Sequence, residues 1–195
     1  MPSAVRRILR RVAIVGEDAN LDPGRTVDVL AQLVQFSQQV AVDWQASGAQ
    51  MLVTLVQTGE PLRDVRPFWS EDPIKMMDAG ALQTYAERSG IAVCASETIA
   101  GRAHYLELLR RECVDYVMPD ISWCGGLGEA KKIATLAEAC QRPIAPHDCT
   151  GPVVWTASSH LSLHAPNALV QESVRAFYTG WYKELVTELP QVKNG

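Results

Sequence analysis

No apolar stretch in the 195-residue chain approaches ~18 residues, so nothing in it reads as a membrane-spanning helix. The five cysteines are odd in number and never fall as C-x-x-C. That argues against both a disulfide framework and a structural zinc site. Basic residues gather only once, at Arg6, Arg7, Arg10 and Arg11, and the net charge is −4, so a nucleic-acid-binding face is not expected. The first residues lack the apolar segment and small-residue cleavage site of a signal peptide. A reduced, cytoplasmic protein is therefore expected, with no membrane and no nucleic acid as partner. No G-x-G-x-x-G follows the first apolar run, which removes support for a dinucleotide site. What remains, 47% hydrophobic and 21% charged residues, is ordinary globular composition, and one domain spanning 1–195 is expected.

The chain instead has rhythm. Short apolar runs, most of them rich in β-branched residues, recur at 12–15 (VAIV), 40–43 (VAVD), 67–71 (PFWSE), 91–95 (IAVCA), 114–119 (VDYVMP), 143–146 (PIAP) and 168–172 (ALVQE). Their centres step by about 24 to 28 residues, the length of one strand-helix unit. Helical periodicity fills the intervals. It is clearest over 125–141, where Ile133, Leu136, Ala137 and Cys140 share a face, and over 76–90, which ends on Gly90. A third helix is expected from Pro23, capped by Asp22. Strands apolar on both faces imply a parallel sheet, either open and doubly wound or closed as a (β/α)₈ barrel.

Titratable groups at the strand ends favour the barrel. Asp43, Glu71 and Glu172 end their runs; Glu97, Asp120 and His147 stand just beyond theirs. In a barrel such ends converge on one rim, where catalytic groups gather. One carboxylate near a strand end is readily explained as a cap for the next helix. Six consecutive strands ending in titratable groups are not. Crowded acids call for a compensating cation, and three carboxylates on neighbouring strands suit a hard divalent ion such as Mg²⁺.

The local sequences point the same way. FWSEDPI, ASETIAGR, VMPDISWCGGLGEAKKIATLAEA and PIAPHDCTGP resemble the barrel domain of the enolase superfamily, in its mandelate racemase/muconate lactonizing branch. LHAPNALVQES and the C-terminal WYKELVTELPQVKNG are similar to its sugar-acid dehydratases, of the galactonate and mannonate type. The resemblance covers residues 12–195 and is strongest from Pro67 onward. It implies a TIM-type (β/α)₈ barrel, incomplete here at about seven βα units and without the family's N-terminal capping domain. It implies Glu71 and Glu97 as Mg²⁺ ligands, His147 and Asp120 as a catalytic base and its partner, and Glu172 as a substrate-binding residue. For the first ligand, Asp18 in GEDAN and Asp43 in VAVDWQ compete. Asp43 precedes Glu71 by one unit length and ends an apolar run, so Asp43 is taken, with Gln45 beside it as a substrate contact.

On this resemblance the substrate is a small sugar acid. His147 removes the proton α to its carboxylate, a β-hydroxyl leaves, and a 2-keto-3-deoxy acid results. The family's second-strand Lys-x-Lys pair is replaced by Val12 and Ile14. A racemase or epimerase needs bases on both faces of the substrate, so the dehydratase is favoured over that alternative. The missing cap also keeps open a non-catalytic remnant of the barrel. A barrel short of one strand exposes sheet edges, and a homo-oligomer is expected. His160 and His164, though spaced i,i+4, are read as outer-helix residues, as is His104. Trp44 and Trp123 either wall the pocket or pack in the core. Gly125-Gly126 either forms a strand-to-helix turn or binds phosphate.

Overall fold

The computed structural model describes residues 67–192, so the runs at 12–15 and 40–43 and the helix expected from Pro23 lie outside the described residues. Trp69–Ala86 together with the chain from Ala92 onward form one compact unit, which holds the described residues of the candidate site.

Three short strands run parallel in sequence order: β1 (Ser70–Glu71), β2 (Val93–Ala95) and β3 (Tyr116–Val117). Their register pairs Glu71 with Cys94 and Ala95 with Val117. The ladder does not stop at β3. Val117 bridges Ile144, and Ile144 bridges Ala168, both in parallel. The Ala145 amide donates to the Val117 carbonyl at 2.9 Å and the Leu169 amide to the Ile144 carbonyl at 2.9 Å. The expected runs from 67 onward thus lie side by side in chain order. Val93, Cys94 and Ala95 are all fully buried, as a strand covered on both faces should be.

The connections are helical because their apolar residues recur on one face. In α1 (Ala79–Ser89), Leu82 and Tyr85 are buried, and Asp78 caps the start through its Oδ1, which accepts from the Ala81 amide at 2.9 Å. In α2 (Arg102–Arg110), Tyr105, Leu108 and Leu109 face inward. A four-residue helix, α3 (Ile121–Cys124), precedes the Gly125-Gly126 pair. Gly125 and Gly126, with φ of 116° and 93°, then turn the chain from α3 into α4 (Leu127–Ala139), whose buried face is Ala130, Ile133, Ala134 and Ala137. Helix α5 (Pro152–His164) opens on proline in its first turn, and α6 (Arg175–Tyr178) and α7 (Tyr182–Leu185) end the described chain. Helix α4 packs against α2, α3 and α5. Among the described residues, no helix is long and apolar enough to cross a membrane.

Candidate active site

Parallel strands put every C-terminal end on the same side. Glu71 closes β1, Glu97 follows β2, Asp120 follows β3, His147 follows the Ile144 bridge, and Glu172 follows the Ala168 bridge. Backbone hydrogen bonds carry the ladder out to this rim. The Met118 amide donates to Ala95 O at 2.8 Å, the His147 amide to Pro119 O at 3.2 Å, and the Glu172 amide to Pro146 O at 3.1 Å. Each side chain therefore projects from a segment tied to its neighbour.

The rim carries a hydrogen-bonded histidine–aspartate pair. His147 Nδ1 lies 2.9 Å from Asp120 Oδ2. Asp120 is fully buried and His147 nearly so. Asp120 is also the N-cap of α3, its Oδ1 accepting from the Ser122 amide at 2.7 Å and the Ser122 hydroxyl at 2.6 Å. Thr150 Oγ1 donates to Oδ2. Burial would raise the Asp120 carboxyl, but the hydrogen bonds from His147, Ser122 and Thr150 outweigh it and hold the group below the ordinary carboxylate range. It therefore stays ionised. With an ionised acceptor on Nδ1, the imidazole carries its proton there, and Nε2 keeps a lone pair. Burial draws the imidazole down, while the bond to Asp120 and the charges of Glu172 and Glu97 draw it up, and the net shift is upward from 6.5. Nε2 faces Glu172 Oε2 at 3.7 Å and Cys149 Sγ at 3.5 Å. Glu172 is itself positioned, because its Oε2 accepts from the Asp148 amide at 3.0 Å.

On the β1–β2 side the rim is a cluster of acids. Partial burial, then the charge of Glu172, raise Glu71, against a hydrogen bond from Trp69 Nε1 at 3.3 Å that lowers it. Asp72, directly after Glu71, was not singled out in the sequence. Its Oδ2 accepts from the buried Ser96 hydroxyl at 2.6 Å, and burial with the nearby Glu97 pushes its carboxyl up to about 7. Asp72 Oδ1 and Glu97 Oε2 are buried and have no hydrogen-bond partner among the described residues. Tyr105 of α2 braces this segment from behind, its hydroxyl donating to Ser96 O at 2.7 Å. Buried carboxylate oxygens without a donor, such as these two, are what a hard cation satisfies, so the residues present fit Mg²⁺. Among the described residues, no three His, Cys, Asp or Glu side chains are by themselves arranged to hold a metal ion. The expected third ligand, Asp43, lies outside the described residues, as do Asp18 and Gln45.

The remaining candidates separate cleanly. His160 and His164 are exposed on α5, and His104 is exposed on α2 with Nδ1 2.9 Å from Ala100 O. Trp123 is exposed next to the rim rather than packed in the core. Four residues of the His147–Asp120 surroundings escaped the sequence reading: Ser122, Asp148, Thr150 and Tyr182. Asp148 is fully buried, raised to about 6 by burial and then by Glu172, and receives the Tyr182 hydroxyl at 3.5 Å. The HDCT run holds two of these, Asp148 and Thr150.

Comparison with known proteins bears on this geometry. Residues 6–195 match the family model described as enolase C-terminal domain-like. The chain is 54% identical to an enolase of the mandelate racemase subgroup from Agrobacterium tumefaciens, a structure with a succinimide residue. The TM-score is 0.69 over 74% of this chain and 38% of that one. It is 42% identical to an enolase protein from the Sargasso Sea environmental genome, with a TM-score of 0.69 over 73% of this chain and 38% of the other. A D-xylonate dehydratase from Haloferax volcanii is 26% identical over 171 residues, which is 87% of this chain and 40% of that protein. The chain thus spans well under half the length of these relatives.

Proposed function

Since the chain belongs to the enolase C-terminal domain-like family, we propose that it carries the acid-base machinery of a Mg²⁺-dependent sugar-acid dehydratase, built on a (β/α)₈-type barrel. The observation that carries the reading is the His147–Asp120 pair, with Nδ1 anchored at 2.9 Å and Nε2 left facing Glu172. Its similarity to a D-xylonate dehydratase supports an aldonate as the substrate class.

Asp43, Glu71 and Glu97 would hold the metal. Bound there, Mg²⁺ would neutralise the substrate carboxylate and stabilise the negative charge that develops as the α-proton leaves. The residues do the rest. Nε2 of His147 takes the α-proton, and Asp120 fixes the imidazole and stabilises its cationic form. The C–O bond to the β-hydroxyl then breaks, and the imidazolium returns its proton to that oxygen, so that water leaves and the histidine is neutral again. The enol left behind becomes a 2-keto-3-deoxy acid. Glu172, held by the Asp148 amide, would accept a hydrogen bond from a substrate hydroxyl. One base on one face is enough for elimination, which Val12 and Ile14 in place of a Lys-x-Lys pair also require.

The test combines binding and turnover. Calorimetric titration of Mg²⁺ into the chain should give binding that is lost in the Glu71→Gln, Glu97→Gln double variant. A panel of C5 and C6 aldonates with Mg²⁺ should yield a 2-keto-3-deoxy acid, detected as its semicarbazone. Metal binding without product from any aldonate would count against the dehydratase. Absence of both would favour a scaffold that no longer turns over.

A further inference from the structure

The chemistry above gives Thr150 no task. Thr150 is exposed, yet its hydroxyl is not given to water: it donates to Oδ2 of the fully buried Asp120. The same oxygen receives His147 Nδ1 at 2.9 Å. The other oxygen, Oδ1, is occupied by the Ser122 amide and hydroxyl. Thr150 is followed by Gly151, whose φ is 142°.

We propose that Thr150 is a positioning residue of the His147–Asp120 pair: by sharing Oδ2 with the imidazole, its hydroxyl fixes the carboxylate and limits how firmly that carboxylate holds the imidazole's proton. This rests on His147 being the base. A carboxylate loses proton affinity with each donor it accepts, so a donor added to Oδ2 weakens its pull on the neighbouring Nδ1–H. The pull needs limiting. Glu172 Oε2 lies 3.7 Å from Nε2, and Glu97, Glu71 and Asp148 act on the imidazole through space. Every one of these acids, when ionised, favours the imidazolium, the form that cannot accept a proton; Cys149 Sγ is a further titratable neighbour, 3.5 Å from Nε2. Burial of His147 and the donors on Asp120 oppose them.

The test is a proton NMR titration of the four histidines in the full chain, freed of metal with EDTA, comparing the parent with Thr150→Val and Thr150→Ser. Valine keeps the side-chain shape and deletes the donor; serine keeps the donor. The midpoint of His147 should rise by about half a pH unit in Thr150→Val. It should return to the parental value in Thr150→Ser, with His104, His160 and His164 unmoved in both. A midpoint in Thr150→Val that is unchanged or lower would overturn the proposal. Should valine disturb folding, seen as lost amide dispersion, Thr150→Ala is read by the same criterion. The titration needs no turnover. A shifted midpoint in a chain with no dehydratase activity would overturn the proposed reaction and uphold the coupling. An unshifted midpoint in an active enzyme would overturn the coupling alone.

Discussion

At the scale of single residues, the pair His147 and Asp120 was legible because each follows a short apolar run, and neighbouring parallel runs deliver such residues side by side. Replacing His147 with Asn should lower kcat by about 10²- to 10⁴-fold with little change in KM, because it removes a proton acceptor and leaves the pocket's shape. Steady-state kinetics on aldonates checks this. The pH profile follows from the same group. A base must be neutral to act, and His147 is shifted upward from 6.5, so kcat/KM should fall on the acid side with a midpoint above 6.5. What the sequence did not disclose were the groups that tune the pair. Thr150 and Ser122 are common polar residues in a turn and a short helix, and only their hydrogen bonds to Asp120 set them apart. Asp72 carries no such signal, since alternation along a strand would turn its side chain away from that of Glu71. Its φ of 38° breaks that alternation at the strand's end.

At the scale of elements, apolar periodicity located α1 and α4 well, since each buries one continuous face. It missed α3, α6 and α7, which at four residues each are too short to show a period. Helix α3 exists through its cap: Asp120 ties down its first amides while also serving His147. One carboxylate thus starts a helix and orients an imidazole. The turn that follows depends on Gly125. A Cβ there would sit 3.4 Å from Glu129 Cβ, on a backbone with φ of 116° that L side chains rarely adopt. Gly125→Ala should therefore destabilise the chain by about 1–2 kcal/mol, read from urea unfolding. Ile133, fully buried between packed helices, should cost more: about 2–5 kcal/mol for Ile133→Ala in the same measurement.

At the scale of the whole chain, the acids set the balance between proton and metal. Asp72 is raised to about 7 and Asp148 to about 6, both from 3.8. A carboxyl with a raised folded-state value gives stability that is complete below 3.8 and is lost as pH climbs through the raised value. Asp120 runs opposite, its contribution present above 3.8 and lost on acidification. Metal-free protein should therefore melt at progressively lower temperature from about pH 4 to pH 7. Mg²⁺ should restore more of that loss at pH 8 than at pH 5, where protons compete for the carboxylates. Thermal melts with and without EDTA at the two pH values decide this. By itself the sequence determined the repeating strand-helix order, the parallel sheet and the alignment of acids and histidine on one rim. Each of these follows from local periodicity and from strand direction, which are properties of neighbouring residues. The tertiary structure alone decided which polar atoms meet. Thr150 reaches Asp120 and Tyr182 reaches Asp148 across thirty or more positions. Contacts of that range depend on how packed helices and turns bring distant segments together, which no local pattern encodes.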